Sequence, residues 1–352
     1  MPSVYKPLPT PASTPPSRTL APPPLGNRAP REGETYAALD LGTNNCRLLV
    51  ARAMGRGFRV IDAFSRIVRL GEGLAASGVL SEPAMARTIA ALKICAGKVA
   101  HRRVTKARYV ATEACRRAAN CAEFIARVRA ATGIEFEIIS SDEEARLVVT
   151  GCAPLLDRRV PHALVFDIGG GSTELVWLKV PRHPRLAPEV EGFLSLPNGV
   201  VTLTDRYGGR EVTQAIYAAM VAEMRDAILS FERHHRIAER IARGEVQMLG
   251  SSGTVTTLAG IHLQLPRYNR AMVDGTALTF DCVRAVSERL LGLCYDARAA
   301  HPCIGSDRAD LVLAGCAILA AICQLWPVGR LRVADRGIRE GILLGLLAAE
   351  AR

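Results

Sequence analysis

The sequence predicts an α/β protein built from two domains of one type, each with a mixed five-stranded sheet, facing one another across a cleft. Three observations predict it. An apolar stretch ending in Asp-x-Gly, a run of small or polar residues and a second apolar stretch occurs twice. The copies are Tyr36-Ala-Ala-Leu-Asp40-Leu-Gly42-Thr43-Asn44-Asn45-Cys46-Arg47-Leu-Leu-Val and Ala163-Leu-Val-Phe-Asp167-Ile-Gly169-Gly170-Gly171-Ser172-Thr173-Glu174-Leu-Val-Trp. Their aspartates stand 127 positions apart, a distance that points to related domains and not to a solenoid of short repeats. Short apolar runs alternate with helical periodicity after each copy, and 352 residues suit about two domains.

In chain order, residues 1–33 stand apart. They hold ten of the 20 prolines and the cations Lys6, Arg18, Arg28 and Arg31, and they cannot bury enough apolar area to order themselves; a disordered tail is expected. Residues 36–39 and 47–51 read as strands around a polar turn, and 58–63 as a third strand. A helix is expected over 82–100, a strand over 108–111, a helix near 118–131 and a strand over 135–139. Ser141 or Asp142 can cap the next helix, 143–151, with Glu144 in its first turn. The first domain then spans 34–154. After the second copy come a helix over 213–234, a strand over 246–249, a Gly/Ser/Thr loop and further helices, giving a second domain over 155–336. The apolar run 311–326 is broken by Gly315 and Gln324; it falls short of the ~18 uninterrupted apolar residues of a membrane span and reads as a buried helix.

Composition narrows the function. The formal net charge is +11, and a basic surface attracts polyanions. Aromatics are only 5%, without basic–aromatic interleaving, so no specific nucleic-acid partner is expected, nor a membrane. Ten cysteines without a C-x-x-C pair read as reduced thiols of a cytoplasmic protein. His234-His235 reads as an exposed helix pair.

A strand–Asp–x–Gly turn can close on a phosphate: glycine lets the backbone approach, successive amides converge on the anion, and small polar side chains add hydrogen bonds. Two such turns facing each other would form a clamp, with Asp40 and Asp167 on its two sides to hold Mg2+ or Mn2+ through oxygen. The candidate phosphate-binding residues are Gly42, Thr43, Asn44, Asn45 and Arg47 in the first turn and Gly169, Gly170, Gly171, Ser172 and Thr173 in the second. A third small-residue loop, Leu249-Gly-Ser251-Ser-Gly253-Thr-Val-Thr-Thr-Leu-Ala-Gly260, adds Ser251 and Gly253. On spacing alone, Glu143 and Glu144 are acids that favour a helix N-terminus.

These three loops, in this order, resemble the phosphate-1, phosphate-2 and adenosine motifs of the sugar kinase, actin and heat-shock chaperone ATPase superfamily. Within it, the chain from about Tyr36 onward is most similar to the exopolyphosphatase/guanosine pentaphosphate phosphohydrolase (Ppx/GppA) family. Further matching segments are Val68-Arg-Leu-Gly-Glu-Gly-Leu74, Ala111-Thr-Glu-Ala-Cys-Arg116, Ile139-Ser-Ser-Asp-Glu-Glu-Ala-Arg146, Arg308-Ala-Asp310 and Asp335-Arg-Gly-Ile-Arg-Glu-Gly341. The resemblance implies two ribonuclease H-like (actin-like ATPase) domains, with a final helix over 337–350 packing back on the first. It implies Glu144 as the base that activates water, Arg116 as an arginine reaching the phosphates, and Glu174 as a metal-site carboxylate beside Asp40 and Asp167. The implied activity is removal of terminal phosphates from inorganic polyphosphate; the alternatives are a guanosine pentaphosphate phosphohydrolase or a non-catalytic sensor of guanosine polyphosphates. The chain ends soon after Gly341, where longer members carry a helical domain, so both monomer and homodimer stay open.

Overall fold

The computed structural model describes residues 33–350, apart from 56 and 184–185. The expected disordered tail, residues 1–33, lies outside the described residues but for Gly33. The first sheet comprises β1 (Thr35–Leu41), β2 (Asn45–Met54), β3 (Gly57–Ile67), β4 (Lys106–Ala111) and β5 (Glu137–Ile138), in the order β3-β2-β1-β4-β5. β1 runs antiparallel to β2 and parallel to β4. The second sheet comprises β6 (His162–Ile168), β7 (Thr173–Lys179), β8 (Glu189–Leu196), β9 (Val246–Ser252), β10 (Ala277–Thr279) and β11 (Arg330–Ala334), in the order β10-β11-β9-β6-β7-β8. Its β6 is likewise antiparallel to β7 and parallel to β9. Each unit is therefore a three-strand meander whose first strand also pairs in parallel with the fourth, the ribonuclease H-like arrangement of the actin-like ATPase fold.

The second sheet has six strands where five were expected. The addition, β10, is three residues squeezed between the turn at Gly275 and the helix cap Thr279, too short to show alternation. β8 also escaped the pattern, because Gly192 interrupts it; a Cβ there would stand 2.3 Å from the His235 ring.

β1 and β6 share one burial pattern: every residue is buried except the sixth, which is Asp40 in one and Asp167 in the other. Strands covered on both faces read as continuous apolar runs, and the lone polar residue near each strand end marks where the cover stops. Three apolar cores stack through the molecule. One lies outside the first sheet, under helices Glu82–His101 and Cys121–Thr132. Another lies outside the second, under helices Gln214–His235, Gly253–His262 and Val312–Leu325. The third lies between the sheets around helices Ser141–Cys152 and Ile338–Glu350. These two helices cross at backbone contact: a Cβ on Gly341 would stand 2.1 Å from the Leu147 carbonyl oxygen. The final helix also buries Ile338, Ile342, Leu343 and Leu347 with Tyr36 and Ala38 of β1.

Three differences from the sequence reading bear on the site. The helix expected near 118–131 runs over Cys121–Thr132, and a short helix not expected, Glu113–Arg117, precedes it across an extended Ala118. The strand over 135–139 pairs only at Glu137–Ile138. Ser140, not Ser141 or Asp142, caps the following helix, its Oγ accepting from the Glu143 amide at 3.1 Å. Among the described residues no helix is long and apolar enough to cross a membrane.

Candidate active site

Both repeated turns close alike. The Gly42 amide donates to the Asn45 carbonyl at 2.9 Å, and the Gly169 amide to the Ser172 carbonyl at 2.9 Å. The turns then meet across the cleft. A Cβ on Gly170 would lie 2.9 Å from the Asn44 nitrogen, and one on Gly171 2.6 Å from Thr43 Oγ1. The glycine run therefore has a packing cause, since any side chain there would force the two turns apart. The third wall begins where β9 ends: Ser252 caps helix Gly253–His262, its Oγ accepting from the Val255 amide at 3.0 Å. That brings a helix N-terminus, with its free amides and partial positive charge, to the cavity.

The cavity has a volume of about 110 Å³ and is lined by Asp40, Gly42, Thr43, Asn44, Asn45, Arg47, Glu144, Asp167, Gly169, Gly170, Gly171, Ser172 and Gly253. Four of the expected residues lie outside it. Thr173 is fully buried, and its hydroxyl donates to the Asn198 carbonyl at 2.6 Å. Ser251 donates to the Arg336 carbonyl at 2.9 Å and borders a smaller neighbouring cavity that shares Asp40, Arg47 and Asp167. Glu174 is buried behind the second turn, accepting from Ser195 Oγ at 3.0 Å. Arg116 stands behind Glu144 and donates to its Oε2 at 2.8 Å. Glu143 turns away to pair with Arg108. Two charged lining residues were missed as individuals, Glu113 and Arg308, although both lie inside motif segments quoted above. Arg47 and Arg308 have no hydrogen-bond or ion-pair partner among the described residues.

The carboxylates raise one another. Burial, then the Glu174 charge, pushes Glu144 well above the usual carboxylate range against the pull of Arg116. Burial, then Glu144, lifts Asp167 to about 7, and burial, then Asp167, lifts Glu174 to about 7. Burial raises Asp40 as well, opposed by Arg47. A site this rich in unneutralised carboxylate suits a hard cation. Asn44 Oδ1 and Asn45 Oδ1 are buried without a partner, leaving two more oxygen donors beside Asp40. No three carboxylate, His or Cys groups stand together as a ready-made ligand cage among the described residues. The oxygen donors present, carboxylates and two amide oxygens, fit an ion that takes one or two carboxylates and completes its shell with water, as Mg2+ does.

Two paired ribonuclease H-like units, a small-residue turn on each wall and a buried glutamate between them form a cleft of the actin-like ATPase fold. The sequence profile of the Ppx/GppA phosphatase family matches residues 49–350, and the chain belongs to that family. An exopolyphosphatase-like protein of known structure is 28% identical, with a TM-score of 0.81 over 90% of this chain and 98% of its own. The Aquifex aeolicus Ppx/GppA family member is 27% identical, with a TM-score of 0.72 over 91% and 99%. An exopolyphosphatase from Cytophaga hutchinsonii, at 22% identity, shares the fold with a TM-score of 0.80 over 90% and 98%.

Proposed function

We propose that this chain is an exopolyphosphatase that hydrolyses the terminal phosphoanhydride bond of inorganic polyphosphate with water activated by Glu144. The observation that carries the reading is the setting of Glu144. Its carboxylate is buried in the wall of a cavity lined by the two repeated turns, with Oε2 held by Arg116. Oε1 has no protein partner among the described residues, so it is the oxygen available to a water. That water loses a proton to Oε1 as its oxygen bonds to the terminal phosphorus, and the bridging P–O bond breaks, its electrons staying on the shortened chain. Arg47 and Arg308 meet the negative charge of the chain, and the amides of both turns orient the terminal phosphate. Mg2+ or Mn2+ would be held by Asp40 and Asp167, with Glu174 behind them, and when bound would supply Lewis-acid neutralisation of phosphate charge.

Polyphosphate is favoured over a guanosine nucleotide by the walls. Among the described residues, those lining the cavity are small, polar, charged or aliphatic, a wall suited to phosphate more than to the flat face of a base. Helix Val312–Leu325 also presses on the third wall, where a Cβ on Gly315 would stand 2.1 Å from Thr254 Oγ1. The test is phosphate release from polyphosphate and from guanosine pentaphosphate, measured side by side on one preparation with Mg2+. The expected result is a higher kcat/KM for polyphosphate; a higher value for the nucleotide would reverse the assignment, and tight binding of either without turnover would make the chain a sensor.

A further inference from the structure

Arg116 is almost fully committed to protein acceptors. Its Nη1 donates to Glu144 Oε2 at 2.8 Å and to the Ile139 carbonyl at 2.8 Å. Its Nε and Nη2 both donate to Glu113 Oε2, at 3.1 and 2.9 Å. A guanidinium has five N–H groups, so four are used and one remains. The three side chains are all poorly solvated, at 15% exposure for Glu113, 17% for Arg116 and 8% for Glu144. Two carboxylates on one guanidinium out of water is a costly arrangement, relieved at Glu113 only by a long contact of its Oε1 with Arg117 Nε at 3.9 Å, and Glu113 is the partner for which general-base catalysis gives no reason. Glu113 also lies in the cavity wall, its Cγ 3.1 Å from where a Cβ on Gly171 would be.

We propose that Glu113 is a positioning residue for Glu144 that acts through Arg116. Its carboxylate occupies the Nε–Nη2 edge of the guanidinium, which commits Nη1 to Glu144 and keeps the arginine from being drawn onto the phosphate chain. The inference rests on the reading of Glu144 as the base. Without Glu113, the freed edge of Arg116 faces a polyanion a short distance away. A charge-assisted contact to phosphate competes well with one to a carboxylate, so Arg116 leaves Glu144, the substrate binds more tightly, and the base loses its fixed orientation.

The test is steady-state polyphosphate hydrolysis by Glu113→Gln, Glu113→Asp, Arg116→Ala and the double variant Glu113→Gln/Arg116→Ala, each checked for an unchanged thermal melt. Glu113→Gln is expected to lower kcat by about tenfold while KM falls as well, a split that simple loss of packing does not produce. Glu113→Asp, which keeps the charge, should recover most of the lost turnover. In the Arg116→Ala background, Glu113→Gln should add less than about twofold, because residues acting as one unit are not additive. Unchanged kinetics in Glu113→Gln, a raised KM, or effects that multiply in the double variant would overturn the proposal. Glu144→Gln, assayed alongside, separates the two readings. If it retains turnover, the reading of the base has failed, and the coupling of Glu113 to Arg116 is then judged by the same double-variant cycle on polyphosphate Kd.

Discussion

The two repeated hairpins are the same backbone device carrying opposite charges at one register position. In the first, the strand register sets Asp40 opposite Arg47; in the second, it sets Asp167 opposite Glu174. Directly opposed residues of an antiparallel pair are close neighbours, so the first hairpin sets a cation beside its aspartate and the second sets a further carboxylate beside its own. Burial raises all three carboxylates, and Arg47 opposes the push on Asp40 and on Asp167 alike. The hairpins differ at Glu174, which burial and then the Asp167 charge lift to about 7. On the proposed reading, the different residue at this register position suits the first wall to phosphate and the second to a cation.

The comparison breaks most decisively at Asp167. Asp167→Asn should cut turnover by about 10²–10³, the scale of losing one preorganised electrostatic stabiliser, and should raise the Mg2+ concentration needed for half-maximal rate. Equal activity at equal metal would show that the second wall holds no cation. On the first wall, Arg47→Ala should act mainly on binding. Losing a charge-assisted hydrogen bond of about 1.5–3 kcal/mol corresponds to a KM raised about 10–100-fold. A fall in kcat at constant KM would place Arg47 in the transition state instead.

A smaller effect sharpens the contact between the walls. Gly170→Ala would put a methyl 2.9 Å from the Asn44 nitrogen, a backbone atom that cannot turn aside. Overpacking of this kind costs about 1–3 kcal/mol, so thermal denaturation should show a Tm lower by several degrees, and no change in Tm would mean that the turns separate freely. The smallest effect is in pH. Asp167 and Glu174 have folded-state values raised above their unfolded ones, so the stability they contribute is complete below about pH 4 and is lost as pH rises through about 7. Metal-free protein should therefore gain more Tm from added Mg2+ at pH 8 than at pH 5.5; an equal gain at both would show that these carboxylates do not face the ion.

Much of this was legible in the sequence because the device is local. Strand, aspartate, glycine and small residues follow one another, and the repeat exposed both walls and the fold class. What stayed hidden depends on contacts between distant segments. That Thr173 spends its hydroxyl on Asn198, that Ser251 ties to Arg336, and that Arg116 backs Glu144 instead of lining the cavity are facts of packing. Glu113 and Arg308 were read inside motifs yet not as separate actors, since neither has a spacing that marks it. Gly192 hid β8, and three residues were too few to announce β10.

The account stands on Glu144, and its most direct test is phosphate release by Glu144→Gln against Glu143→Gln, with polyphosphate and saturating Mg2+. Glu143 is the internal control because it neighbours Glu144 on the same helix yet pairs with Arg108 outside the cavity. Turnover should fall by about 10²–10⁴-fold in Glu144→Gln, the range for loss of a general base, with substrate affinity unchanged or improved by removal of a negative charge. Glu143→Gln should keep near-normal turnover. Retained activity in Glu144→Gln, with or without loss in Glu143→Gln, would contradict the assignment and leave the attacking water to be activated elsewhere in the cleft.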